Sequence, residues 1–118
     1  MLAEVEKVNA GIFEALRSIE ERFPEKPLTI ISPLAEGADR LVVYRVLERP
    51  RARLIVPLPL PKQDYLTDFA STKSKNEFLR LLDQAEEVIE LPPTETRNAA
   101  YEAVGNYVLD HCDVLIAV

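Results

Sequence analysis

The chain has 118 residues, 47% of them hydrophobic, one cysteine and a formal net charge of −6. That is enough for one domain, since compact domains cluster at about 100–150 residues, and too apolar for a disordered chain. The acidic balance argues against sequence-independent nucleic-acid binding, which uses a basic footprint to displace counterions, and the closest basic cluster, Arg45, Arg49, Arg51 and Arg53, is interrupted by Glu48 and Pro50.

The first segment reads as an amphipathic helix. Leu2, Val5, Ile12, Leu16, Ile19 and Phe23 recur at three- and four-residue steps or their multiples, the stripe of a helix buried on one side. Charged residues from Glu4 to Arg22 interrupt it, so it is no secretory signal. No stretch of the sequence approaches the roughly 18 apolar residues of a membrane span. Pro24 and Pro27 stop the helix. Leu28 to Ile31 is then an apolar, β-branched run, expected to be a strand buried on both faces.

Ala35 to Leu47 returns to helical patterning, and Leu54 to Val56 is the next strand. Pro57, Pro59 and Pro61 alternate with Leu58 and Leu60. Three backbone donors are thus missing and three φ angles fixed, which predicts a stiff extended exit and excludes a central strand there. Lys62 to Ala70 has room for a short helix, and Asn76 to Ala85 is a clearer one. Val88 to Leu91 is a strand ended by Pro92-Pro93, Arg97 to Leu109 a helix, and Val114 to Val118 a last strand. Short apolar strands separated by helices predict an α/β fold with a mainly parallel sheet and right-handed crossovers. Ligands of such sheets sit at the carboxyl ends of the strands.

The junction Ser32-Pro33-Leu34-Ala35-Glu36-Gly37-Ala38-Asp39-Arg40 carries the strand into the following helix. The small residues Ala35, Gly37 and Ala38 permit close approach of a ligand, and free amides at a helix start favour an anion. Ser32 would add a hydroxyl, and Asp39 would accept from ribose hydroxyls or first-turn amides. Equally open is a plain strand–helix turn, with Gly37 serving packing while Glu36 and Asp39 complement the helix dipole. Glu36 places negative charge where a phosphate would sit.

This junction resembles the corresponding turn of the SLOG superfamily. Those Rossmann-like domains unite LOG phosphoribohydrolases, bacterial proteins once labelled lysine decarboxylases, YpsA-like proteins and DNA-processing protein A. Similar too are the proline-rich exit Val56-Pro57-Leu58-Pro59, the pairs Asp64-Tyr65 and Asp68-Phe69, and Ala100-Tyr101-Glu102-Ala103-Val104-Gly105 followed by Asp110 to Val118. The resemblance covers nearly the whole chain and is nearest to an uncharacterised bacterial branch close to YpsA. It implies a Rossmann-like three-layer sandwich, one partial domain over residues 1–118, without the family's usual first strand and its last glycine-rich loop. An unpaired strand edge would then invite pairing and a homo-oligomer.

The resemblance further implies binding or sensing of a nucleotide or nucleotide-derived small molecule within a larger bacterial protein. Its expected site residues are Ser32, Glu36, Gly37, Ala38, Asp39 and Arg40, joined by Arg97, which matches the position of a ligand-contacting arginine in LOG-like enzymes. The alternatives are a LOG-type nucleoside-monophosphate phosphoribohydrolase domain, inactive as this stretch of chain, and a ligand-free interaction domain. Arg97 also reads as a surface arginine offsetting Glu95 and Glu102.

Asp64 and Asp68 sit four residues apart, either flanking a cation or simply near a helix start. Adjacent His111 and Cys112 point about 100° apart on a helix and have no second His or Cys to complete a zinc site. Cys112 is expected as a core thiol, His111 as a surface residue, and Tyr44, Tyr65, Tyr101 and Tyr107 as packing. No metal, cofactor, nucleic acid or membrane enters this reading. The lone cysteine fits a reducing, cytoplasmic setting.

Overall fold

The computed structural model describes the backbone of residues 2–113 and the side chains of Lys7 and of residues 10–113. Helix α1 spans Leu2–Arg22, followed by strand β1 (Thr29–Ile31) and helix α2 (Ala38–Leu47). Strand β2 (Arg53–Leu58) leads into helices α3 (Lys62–Leu66) and α4 (Thr72–Asp83), then strand β3 (Glu87–Glu90) and helix α5 (Arg97–His111). Among the described residues these five helices accompany a three-stranded sheet of order β1-β2-β3, parallel throughout. Ile30 lies opposite Leu54, and Val56 opposite Val88. The α/β architecture is compatible with a Rossmann-like fold. The expected last strand, Val114 to Val118, falls outside the described residues.

Alternation along β2 sorts the core. Leu54, Val56 and Leu58 share one face and are buried in a cluster with Leu34, Val43, Tyr65, Phe69, Phe78 and Leu81. Tyr65, Phe69 and Phe78 meet edge-on or tilted at centroid distances of 5.0–5.5 Å, the favoured geometry of aromatic rings. A second cluster joins Ile12 and Leu16 of α1 to Val42 and Val46 of α2, as the helical stripe predicts. Helix α5 packs on β2, and its buried Ala100 and Val104 belong to neither cluster.

Two expectations are corrected. The proline-bearing segment does not leave the sheet at Val56. Strand β2 is the middle strand and runs through Pro57, which pairs in register with Ile89. The ladder alternation explains this. Arg53 N donates to Leu28 O, and Ser32 N donates to Ile55 O, so odd-numbered residues of β2 address β1. The donor that Pro57 lacks therefore points beyond the end of β1, and no ladder bond is lost. The second correction concerns β1, which is not buried on both faces among the described residues: Thr29 is exposed, and Ile30 and Ile31 are half-buried.

Phe78 is fully buried at the centre of the aromatic group, so Phe78→Ala should cost roughly 3–5 kcal/mol in urea unfolding. Val56→Pro should cost at least about 3 kcal/mol although Pro57 is tolerated next door, because even-numbered residues of β2 address β3. A Val56→Pro loss well below about 3 kcal/mol would contradict this ladder assignment.

Candidate functional site

The strand–helix junction is a tightly held corner. Beyond β1 the chain turns through Leu34, whose φ of 59° lies in the left-handed region that costs a branched side chain about 1–3 kcal/mol. Four contacts hold it there. The Leu34 side chain is fully buried, and Leu34 N donates to Ser32 Oγ at 3.1 Å. Arg40 Nε donates to Leu34 O at 3.0 Å, and Tyr65 OH donates to Pro33 O at 3.0 Å.

Arg40 is the hub of this arrangement. Only 3% exposed, it sends Nη1 to Ser74 O at 3.0 Å, Ser74 Oγ at 2.9 Å and Glu77 Oε1 at 2.9 Å. Its guanidinium lies 4.6 Å from the centroid of Phe69, a cation–π arrangement. The Arg40 hydrogen bond holds the Glu77 carboxyl below its ordinary range. The Ser74 hydroxyl in turn donates to Glu36. Arg40 therefore acts inside the protein, tying the corner and α2 to α4.

Helix α2 begins differently from α4 and α5. Ser71 and Thr96 each cap their helix by accepting a backbone amide, from Ser74 and Ala99. Gly37 occupies the same place on α2 with φ 86° and ψ −126°, and no side chain caps that helix start. The glycine is required by the positive φ, and the first-turn amides of Ala38 and Asp39 have no intrahelical acceptor. Asp39 is half-buried beside them. Burial raises its carboxyl pKa, and a hydrogen bond from the Ala35 amide partly offsets the rise.

Ser32, Pro33 and Asp39 line, with Thr29, Ile30 and Ile31 of β1, a groove of about 1270 Å³. Leu16, Ile19, Val42 and Val46 of α1 and α2, with Val104 and Val108 of α5, give it apolar lining. Ser32 and Asp39 are thus the expected site residues that face this space. Glu36 and Gly37 are exposed on the corner, and Ala38 is half-buried.

Arg97 is not among the residues lining the groove and is already engaged. It pairs with Asp68 at 2.8 Å and Asp64 at 3.1 Å, rather than with Glu95 or Glu102 as a simple surface reading predicts. Tyr101 OH also donates to Asp68. The Asp64 and Asp68 carboxylates therefore join α3 to α5 through a cation supplied by the chain itself. Arg97 draws the Asp68 carboxyl below its ordinary value of 3.8, and burial together with Asp68 pushes the Tyr101 hydroxyl up to about 12.

Among the described residues no three His, Cys, Asp or Glu side chains cluster to hold a metal, and no helix is long and apolar enough to cross a membrane. Cys112 is half-buried and free, and exposed His111 stacks on Tyr107 at 4.0 Å. In the basic cluster, Arg45, Arg49 and Arg53 pair with Glu48, Glu20 and Glu86. Ser74, Glu77 and Tyr65, which hold the corner, escape sequence reasoning because they lie more than 30 residues from their partners. Set against models of known families, curated proteins and solved structures, the chain matches none of them.

Arg40→Met should destabilise the fold by on the order of 3 kcal/mol in urea unfolding, since it strips buried acceptors of their donor. Arg40→Lys should recover little, because a lysine lacks the guanidinium fork. The Asp68 carboxyl has a lowered folded-state pKa, so its contribution is present above pH 3.8 and is lost as pH falls through that lower value. Asp68→Asn should therefore flatten the acid limb of thermal stability below about pH 4, as followed by circular dichroism.

Proposed function

We propose that this domain binds a nucleotide or nucleotide-derived small molecule at the carboxyl end of β1, with the anionic group on the first-turn amides of α2. The supporting observation is the corner itself. A leucine held in a left-handed conformation by four separate contacts, next to an uncapped helix start, is the kind of over-determined strain that collects at ligand sites. The location fits the rule that open parallel sheets bind ligands outside the carboxyl ends of their strands.

In this reading the Ala38 and Asp39 amides and the positive end of α2 hold the anion. Asp39 accepts from ribose hydroxyls in the groove, and the Ser32 hydroxyl, already accepting from Leu34 N, donates its proton to the ligand. Glu36, drawn to Ser74, and the buried Arg40 shape the corner. Arg97 would reach a ligand only by leaving Asp64 and Asp68, so the backbone carries most of the attraction. The arrangement accords with a Rossmann-like three-layer sandwich of the SLOG kind, working as a sensor within a larger cytoplasmic bacterial protein.

Calorimetry with a panel of nucleoside mono-, di- and triphosphates tests the proposal. At least one member should bind with a Kd at or below about 1 mM, near −4 kcal/mol, and its unphosphorylated nucleoside should bind at least about tenfold more weakly. Heats indistinguishable from dilution for every member at millimolar concentration would refute it. Asp39→Asn adds an independent check. A raised folded-state pKa means that stability is greatest with Asp39 protonated and falls as pH rises through that value, so the variant should melt higher than the parent at pH 7.

A further inference from the structure

We infer that one face of α5, formed by Tyr101, Glu102, Gly105 and Asn106, is the base subsite of the nucleotide site, and that it selects a base carrying an exocyclic amino group. The inference rests on the reading of the corner as an anion site and adds what that reading leaves open, the part of the ligand beyond phosphate and ribose.

Position comes first. Tyr65 OH donates to Pro33 O at 3.0 Å, and the Tyr65 ring lies 6.1 Å from that of Tyr101 at an angle of 55°. The first turn of α5 is thereby placed beside the strand–helix corner, and Pro33, Asp39 and Tyr101 all line the groove. Gly105 lines it too, one helical turn or about 5.4 Å further along the axis. A ligand with its phosphate on the α2 amides and its ribose at Asp39 thus has this face within reach of its base.

Tyr101 supplies the platform. Its hydroxyl donates to Asp68, which is paired with Arg97 at 2.8 Å, so the ring is fixed from its far end. The residue nevertheless stays 37% exposed. An aromatic ring fixed in this way, with surface left over, can stack on a planar base.

Gly105 supplies the clearance. A glycine inside a helix is less stable than an alanine, and the surrounding chain does not require one here, because a Cβ at Gly105 meets nothing within 4 Å. Four residues from Tyr101 and on the same side of the helix, the missing side chain leaves room for a flat ring beside the tyrosine.

The neighbouring stripe supplies the selectivity. Glu102 and Asn106 stand about 100° round the helix from Tyr101 and Gly105, and both line the groove. Glu102 forms no ion pair among the described residues, since Arg97 is taken by Asp64 and Asp68. A carboxylate only accepts hydrogen bonds, whereas a carboxamide both donates and accepts. An amino group on the base therefore satisfies Glu102 and leaves the adjacent ring nitrogen to Asn106. A carbonyl in its place sets acceptor against acceptor, which a polar site rejects.

Calorimetry of the 118-residue chain with AMP, IMP and ribose 5-phosphate, which share one phosphate group, tests this. AMP should bind at least about tenfold more tightly than ribose 5-phosphate through stacking, and at least about fivefold more tightly than IMP. Gly105→Leu should melt no lower than the parent while bringing AMP to within about twofold of ribose 5-phosphate. Glu102→Gln should bring AMP and IMP to within about twofold of each other. If AMP and ribose 5-phosphate bind equally well in the parent, the base subsite is refuted and the anion site stands; if neither binds, both fall. An AMP preference untouched by Gly105→Leu would also overturn the inference. Should that variant fold poorly, the parent decides: NOEs between the adenine protons of bound AMP and the Tyr101 ring support the subsite, and their absence refutes it.

Discussion

A cation removed from water must be satisfied on several sides at once, and Arg40 meets most of that demand by gathering the structure around itself, with its buried Nη2 alone left without a hydrogen-bond partner among the described residues. Its guanidinium reaches the Leu34 carbonyl, the Ser74 carbonyl and hydroxyl, and Glu77, while lying over the ring of Phe69. Those partners come from the junction after β1, from α4, and from the segment between α3 and α4. One side chain thereby couples the local geometry of the corner to the packing of the main core. The strained Leu34 is tolerable because it is held from outside as well as by its own burial. The corner that this anchoring holds turns Ser32 and a half-buried Asp39 to the groove, beside a helix start that no side chain caps.

The sheet is asymmetric in a way that gives this corner its setting. Strand β2 has a neighbour on each side, and its inward row, Leu54, Val56 and Leu58, is buried. Strand β1 is paired with β2 alone among the described residues. The groove lined by β1 has apolar walls from Leu16, Ile19, Val42, Val46, Val104 and Val108, and its polar lining joins Ser32 and Asp39 to Lys26, Glu102, Asn106, His111 and Asp113.

Much of this was legible in the residues. Hydrophobic spacing located the helices, and the apolar runs located the strands of a parallel α/β fold. The special junction, with its glycine at a positive φ, could be recognised from Gly37 among small residues. Pro57 misled because proline is read as a donor lost from a central strand, whereas the loss matters only on the side where a partner continues. The role of Arg40 was hidden because a guanidinium beside a glycine-bearing turn suggests a ligand contact, and its true partners at Ser74 and Glu77 are brought near only by tertiary packing. Arg97 was ambiguous for the same reason. The nearby Glu95 and Glu102 are its sequence neighbours, yet the fold supplies Asp64 and Asp68.

The central claim is that the α2 amides receive an anion. Titrating isotopically labelled protein with a nucleoside monophosphate, and following the backbone amides of Gly37, Ala38 and Asp39 by NMR, examines it at the atoms concerned. The account predicts saturable shifts centred on these amides and extending to Ser32. Unmoved signals there, with changes absent or scattered over surface lysines, would contradict it.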